Sequence, residues 1–201
     1  MHHPGRIGFL LSLLCLAGCR RGERPVFELL SAERTGVSFA NTITTSDSLN
    51  VLTDVYAYNG AGVAVGDVDN DGLPDIFFSG NMVTSRLYLN KGGMRFDDIT
   101  ERAGVRTNRW ATGATMVDIN NDGFLDIYVS VSGPEWSKPE ARANLLFINN
   151  RNRTFTEAAA QYGVADTASG SAGAGASKRP GSSWSAMDFE GSRRLRRAQG
   201  W

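Results

Sequence analysis

The chain has 201 residues, of which 41% are hydrophobic and 21% charged, a composition typical of a globular protein and not of a disordered one. Lys plus Arg and Asp plus Glu both number 21, so the net charge of zero favours neither nucleic acid nor an anionic membrane surface as a partner, and we expect no nucleic acid. The two cysteines, Cys15 and Cys19, lie in the first twenty residues, which excludes a disulfide framework in the body of the chain.

Residues 1–19 have the pattern of an export signal: a basic start, an apolar run over 7–18 and small residues at the exit. As a helix the run would be about 18 Å long, too short for a hydrocarbon core of about 30 Å. It ends in Leu-Ala-Gly-Cys19, which resembles the bacterial lipobox. We therefore expect lipidation of Cys19, export, and a lipid anchor in the bacterial cell envelope, with the outer membrane as the expected membrane. An ordinary signal peptide is the alternative.

An internal repeat occupies the middle of the chain. The acidic stretch 66–77 returns at 117–128, and Leu-Tyr-Leu-Asn at 87–90 returns as Leu-Phe-Ile-Asn at 146–149. The second copy carries eight extra residues within 130–144, between these two motifs. This stretch contains two prolines, so we expect an enlarged surface loop.

Each repeat contains four short segments rich in β-branched and aromatic residues, which predicts strands. The expected strands are 62–66, 75–79, 86–90 and 96–99 in the first repeat and 111–117, 127–131, 145–149 and 154–157 in the second. Only 99–103 and 157–162 are helix-like. Four short strands in about 50 residues predict an all-β fold built from four-stranded blades.

Oxygen-bearing side chains recur at fixed positions of two nine-residue loops. Positions 1, 3, 5 and 9 hold Asp67, Asp69, Asp71 and Asp75 in the first loop and Asp118, Asn120, Asp122 and Asp126 in the second. A glycine at position 6 allows the turn, and we expect the position-7 carbonyls of Leu73 and Phe124 to point inward. Oxygen donors in this number suit Ca²⁺, the expected cofactor, rather than zinc.

An acidic loop of this kind also occurs in EF-hands and in polar turns without metal. An EF-hand needs flanking helices and a glutamate at position 12, where this chain has Phe78 and Val129 between strand-like segments, so it is excluded. A polar turn without metal is the remaining alternative. The same spacing and the same glycine in both copies favour calcium.

The motif Gly-Asp-Val-Asp-Asn-Asp-Gly-Leu-Pro-Asp-Ile at 66–76 resembles the FG-GAP/VCBS repeat of integrin-α-like β-propellers. The neighbouring stretches 58–65, 87–92, 98–105 and 144–150 resemble it further, and the set is similar to bacterial lipoproteins related to cartilage acidic protein. The resemblance covers roughly residues 25–167. It implies a seven-bladed propeller, calcium in the loops between the first two strands of a blade, and a role in adhesion or ligand binding.

These features predict five segments. They are the signal and lipobox (1–19), an N-terminal extension with a strand leading into the propeller (20–57), a first blade (58–106) with calcium loop 67–75, a second blade (107–166) with calcium loop 118–126, and a low-complexity and basic tail (167–201). The chain is thus expected to hold two blades of a partial β-propeller and the start of a third.

The tail departs from the repeat. Asp188 and Glu190 stand at positions 1 and 3 of a third loop, but position 9 is Arg196, whose charge opposes calcium. A frameshifted or truncated third blade, a natural disordered tail, and a basic patch for nucleic acid or anionic lipid are the possible interpretations. Two blades alone would leave two sheet faces in water, and the residues expected there are Val63, Val65, Ile76, Phe78, Met116, Ile127 and Val129.

The expected function is a calcium-binding, extracytoplasmic module for adhesion or for a carbohydrate or protein ligand. It is not expected to be an enzyme, because His2 and His3 are its only histidines and both lie in the signal. Two alternatives stay open: a propeller fragment of a polysaccharide-active enzyme, and a non-functional truncated fragment.

Overall fold

The computed structural model describes residues 27–54, 57–133 and 137–167. The chain divides into two compact units, Met1–Leu30 and Ser31–Trp201. The described residues of the first unit, 27–30, are in neither helix nor strand. The export signal, Cys19, the expected third loop and the basic run 193–197 lie outside the described residues. Among the helices that are described, none has the length and apolar character needed to cross a membrane.

The second unit contains two four-stranded sheets. The first sheet has strands β1 (Val63–Gly66), β2 (Asp75–Phe78), β3 (Arg86–Asn90) and β4 (Phe96–Asp98), and the second has β5 (Ala111–Val117), β6 (Asp126–Val131), β7 (Leu145–Asn149) and β8 (Phe155–Glu157). In each sheet the strands follow chain order and every neighbouring pair is antiparallel. The all-β prediction is confirmed, and the two sheets are consistent with blades of a partial β-propeller.

The strand boundaries agree closely with those expected from the sequence. β3, β5 and β7 have the expected bounds, and each of the other five strands differs by one residue at one end. At Gly62 and Ser79, for example, the backbone hydrogen bond from Ser79 N to Gly62 O persists just beyond the assigned strands. Differences of this size are usual where a strand passes into a turn.

Three short α-helices and one 3₁₀ turn accompany the sheets: α1 (Ala32–Thr35), α2 (Thr100–Ala103), α3 (Ala159–Tyr162) and the 3₁₀ turn Pro139–Arg142. The sequence predicted α2 and α3 and missed the other two. Ser31 caps α1 by accepting a hydrogen bond from Arg34 N. The strand expected within 20–57 is not found in the described part, 27–54, which holds α1 and an isolated bridge between Ser46 and Leu49.

The main hydrophobic core lies between the two sheets. It includes Phe77, Leu87 and Leu89 from the first sheet and Ile127, Val129, Val131, Leu145, Phe147 and Phe155 from the second. Gly62 allows the sheets to approach closely, because a Cβ at this position would lie 2.6 Å from Gly113 Cα. The expectation that Ile127 and Val129 face water is wrong, since both are buried in this core.

The other face of the first sheet is partly covered by the segment after α1. The Phe39 ring stacks on Phe78 at 5.0 Å, Phe78 meets Tyr88 edge to face, and Ser38 N donates a hydrogen bond to Tyr88 Oη. Val63 and Val65 stay exposed at 55% and 61%, as the sequence predicted. This side of the sheet is therefore mixed, with a covered aromatic patch beside exposed aliphatic side chains.

The antiparallel order places the β1–β2 and β3–β4 connections at one end of the first sheet, and the β5–β6 and β7–β8 connections at one end of the second. These two ends are adjacent. Asn70 Nδ2 in the β1–β2 loop donates to Gly123 O in the β5–β6 loop at 3.0 Å, and Asn149 Nδ2 at the end of β7 donates to Val68 O at 2.7 Å. Both acidic loops thus lie together at one end of the sheet pair.

Candidate metal centre

The first loop (67–75) and the second loop (118–126) have the same backbone shape. Each is closed at its base by a strand pair, Gly66 with Asp75 and Val117 with Asp126. Position 4 has positive φ in both loops, 59° at Asn70 and 58° at Asn121. Position 6 also has positive φ, 87° at Gly72 and 85° at Gly123, which is the conformation that favours glycine.

The carboxylate at position 1 is held inside each loop by two backbone N–H groups. Asp67 accepts hydrogen bonds from Asp71 N at 3.2 Å and Gly72 N at 2.7 Å. Asp118 accepts the matching bonds from Asp122 N at 3.0 Å and Gly123 N at 2.8 Å. The loop backbone therefore wraps around the first acidic side chain, as the repeated spacing requires.

Three carboxylates converge in the first loop. Asp67, Asp69 and Asp71 each offer an oxygen, and these oxygens lie within 4.8 Å of one another. The Asp69 side chain is only 4% exposed, and its Oδ2 accepts a hydrogen bond from Arg153 Nε at 2.8 Å. Its Oδ1 is buried and has no hydrogen-bond partner among the described residues. A buried carboxylate oxygen without a donor is costly unless a cation neutralises it, so this loop fits a metal ion.

The second loop has an amide at position 3 and an arginine over position 5. Asn120 Nδ2 donates to Asp122 Oδ2 at 3.0 Å, and Arg151 Nε and Nη2 donate to the same oxygen at 3.2 and 3.1 Å. Asp122 Oδ1 accepts from Phe124 N. The pKa of Asp122 is lowered first by this N–H and then by Arg151 and Asn120. The second loop thus has oxygen-bearing side chains at the same positions, but its position-5 carboxylate is hydrogen-bonded to Arg151 and Asn120.

The position-9 carboxylates are buried supports between strands. Asp75 accepts hydrogen bonds from Val68 N and Asn90 N, and Asp126 accepts from Ile119 N and Asn149 N, all at 2.7–3.0 Å. Burial raises the pKa of Asp75 to about 6, against these hydrogen bonds, and it also raises the pKa of Asp126. Asp75 is outside the convergent group of three, so metal ligation by the position-9 residues stays a prediction.

The position-7 residues are also held by the loop. Leu73 N donates to Asp71 Oδ1 and Phe124 N donates to Asp122 Oδ1, both at 2.9 Å. These bonds fix the N–H side of each residue. The inward direction of the Leu73 and Phe124 carbonyls stays a prediction.

Two asparagines at the ends of β3 and β7 complete the loops and were not assigned a role from the sequence. Asn90 Nδ2 donates to Pro74 O, and Asn149 Nδ2 donates to Leu125 O and across to Val68 O. The repeated Leu-x-x-Asn motif was the available signal. Arg151 and Arg153 were also missed, because they contact loops that lie 29 and 84 residues away in the chain.

Comparisons with known proteins agree with this geometry. Residues 67–129, which include both acidic loops, match the model of the FG-GAP-like repeat family. The chain is 32% identical over 122 residues to cartilage acidic protein 1 of Xenopus tropicalis, a match that covers 59% of this chain and 19% of that protein. The chain therefore spans about a fifth of that relative's length. The resemblance inferred from the sequence is confirmed, in that the segment from Asp67 to Val129 is similar to the FG-GAP-like repeat family.

Proposed function

We propose that the two acidic loops bind calcium and that the chain acts as a ligand-binding or adhesion module. The observation that carries the proposal is the buried, unpartnered Oδ1 of Asp69 beside the carboxylates of Asp67 and Asp71. Three carboxylates at this separation repel one another, and a bound cation would remove that repulsion. A polar turn without metal gives no reason for an acidic oxygen to be buried without a donor.

Calcium suits the donors better than other metals. Every side-chain donor in the loops is an oxygen, which favours calcium, magnesium or manganese over zinc or copper. Calcium accepts six to eight oxygens in flexible arrangements, whereas magnesium requires near-octahedral geometry. Asp67, Asp69 and Asp71 would hold the ion in the first loop, and Asp118, Asn120 and Asp122 in the second, with the position-7 carbonyls and position-9 carboxylates as further expected ligands. Bound calcium would supply positive charge that links the loop to both strands.

The FG-GAP-like repeat supports a binding role rather than a catalytic one. We propose that the ligand is a carbohydrate or another protein, and that the module binds it as part of a larger extracytoplasmic assembly. The whole of the relative is about five times longer than the matched part, so the activity and partners of a full-length protein are part of this proposal.

Calorimetry on the full chain tests calcium binding. We expect binding at a Kd of about 10⁻⁴–10⁻³ M, as for extracellular calcium modules, and weaker binding of magnesium. Asp69→Asn should weaken the tighter site about two- to threefold, because it removes one ligand charge without changing side-chain size. Asp47→Asn, an exposed carboxylate outside both loops, is the matched control. The proposal is wrong if millimolar calcium neither binds nor raises the melting temperature.

The proposed location is the bacterial cell envelope, through a lipid on Cys19. This proposal depends on the sequence of residues 7–19 alone. Metabolic labelling with a fatty acid and membrane fractionation of the wild type and Cys19→Ala test it. Loss of both label and membrane association in Cys19→Ala is the expected result, and an unchanged membrane fraction with normal labelling contradicts it.

A further inference from the structure

The β3–β4 and β7–β8 turns share left-handed backbone at two corresponding positions, and they differ at the residue between them, where Gly93 has φ 61° and Asn152 has no positive φ. Each turn has two left-handed positions that correspond in the repeat: Gly92 and Met94 at φ 79° and 59° in the first sheet, Arg151 and Arg153 at φ 64° and 66° in the second. A non-glycine residue in this conformation costs conformational energy. The second turn therefore holds two arginines in an unfavourable backbone conformation, and both reach an acidic loop.

Arg151 occupies the second loop. Its Nε and Nη2 both donate to Asp122 Oδ2, and its guanidinium carbon lies 6.0 Å from the centre of the Phe124 ring. Asp122 Oδ2 also accepts from Asn120 Nδ2, and Oδ1 accepts from Phe124 N. Both oxygens of the position-5 carboxylate are consequently engaged, and the Asp122 side chain is 13% exposed.

The first loop differs at the matching place. Its position-5 carboxylate, Asp71, has Gly92 and not arginine at the equivalent turn position. The nearby arginine of the second sheet, Arg153, binds Asp69 Oδ2 and leaves Asp69 Oδ1 without a partner. In the first loop Asp69 Oδ1 has no hydrogen-bond partner that a cation must displace, whereas in the second loop a cation meets an arginine on the position-5 carboxylate.

We propose that Arg151 is a built-in counter-cation that competes with calcium for Asp122 and makes the second loop the weaker site. The inference rests on the proposed calcium function and adds a residue that sets the affinity of one loop. The guanidinium offsets the charge of Asp122 through its two hydrogen bonds to Oδ2. Ion binding requires that Arg151 leave the carboxylate or share it with a second cation, and either event lowers the net affinity.

The test uses Arg151→Asn in the full chain with Asp71→Ala as background, so that the remaining calcium site is the second loop. Asparagine is neutral and tolerates the left-handed conformation, as Asn70 and Asn121 show in the loops themselves. We expect the Kd of the second loop to fall about two- to fivefold, the factor that corresponds to one partly exposed ion pair. Arg151→Lys keeps the charge and should keep the Kd near that of the background protein.

Arg106→Asn is the matched control, since Arg106 pairs with Glu101 outside both loops, and it should leave the Kd unchanged. Arg151→Gly introduces the residue found at Gly92 and provides an independent variant if Arg151→Asn does not melt cooperatively. An unchanged or higher Kd in the neutral Arg151 variants, with calcium still bound, overturns the inference alone. Failure of the wild type and every variant to bind millimolar calcium overturns the proposed function and this inference together.

Discussion

The two acidic loops have one backbone and two different charge environments. Their φ angles agree within 2° at positions 4 and 6, and the position-1 and position-9 side chains make the same hydrogen bonds in both. They differ at position 3, where Asp69 is matched by Asn120, and in the arginine over position 5 of the second loop. The positions that build the loop are thus repeated, while those that set the charge around it are not.

The largest expected effect comes from the part that the loops share. Asp75→Ala and Asp126→Ala each leave two buried backbone N–H groups without acceptors, and each should lower the free energy of unfolding by about 2–4 kcal/mol. Urea denaturation of calcium-depleted protein measures the loss. Asp97→Ala, exposed in β4, should change the free energy by less than about 0.5 kcal/mol. Losses below about 1 kcal/mol at both buried sites would show that these carboxylates do not support the loops.

The raised pKa of Asp75 gives a pH dependence with a definite sign. Between its usual value of 3.8 and about 6 the folded protein binds a proton that the unfolded chain has released, so this group makes the calcium-depleted protein less stable as pH rises through that window. The change should be on the order of 2 kcal/mol. Urea midpoints at pH 4.5 and 7 should show that the advantage of the wild type over Asp75→Asn is larger at pH 4.5. An advantage that grows toward pH 7 would contradict the assigned pKa.

Asn90 and Asn149 differ in their contacts, because only Asn149 donates a hydrogen bond across to the loop of the other sheet. Asn90→Ala removes a hydrogen bond to Pro74 O, whereas Asn149→Ala removes bonds to Leu125 O and to Val68 O of the first loop. We expect losses of about 1 and about 2 kcal/mol in the free energy of unfolding. Equal losses would mean that the bond from Asn149 to Val68 contributes nothing to stability.

The smallest expected effect is the difference in calcium affinity between the two loops. The first loop has four aspartates, with Arg153 on one oxygen of Asp69 and no partner on the other, whereas the second has one asparagine and Arg151 on Asp122. Asp71→Ala should therefore remove the tighter site and Asp122→Ala the weaker one, with wild-type Kd values that differ a few-fold. Calorimetric titration of both variants reads the order directly. If Asp71→Ala abolishes the weaker site, the order is reversed.

The repeat, the eight strands and both acidic loops could be predicted from the sequence because the evidence for them is local. Asp-Gly turns mark the loops, and short runs of β-branched and aromatic residues mark the strands. Which face of each sheet packs in the core could not be predicted. β6 carries Ile127, Tyr128 and Val129 in succession, so apolar residues point to both sides and the alternation that would identify the core face is absent.

The contacts that distinguish the loops depend on residues distant in the chain. Arg153 reaches Asp69 and Asn149 reaches Val68 because the two sheets pack side by side, and neither contact has a local signal. Arg151 stands two residues after a repeated motif, at a place where the first repeat has glycine. Comparing the two repeats position by position would have marked it as a difference, but only the fold shows which carboxylate it meets.

The connection between β6 and β7, residues 132–144, leaves each strand at the end opposite the acidic loops. Its base is closed by Asn144, whose Oδ1 accepts a hydrogen bond from Val131 N at 2.8 Å. The first sheet crosses the same interval with the shorter segment 79–85. The rim of the sheet pair that holds the acidic loops is thus constrained by charged side chains. At the opposite rim the connection between the second and third strands differs in length between the two sheets. A foreign peptide grafted into 132–144 would therefore give this scaffold a display position that leaves the chemistry of the acidic rim unaltered.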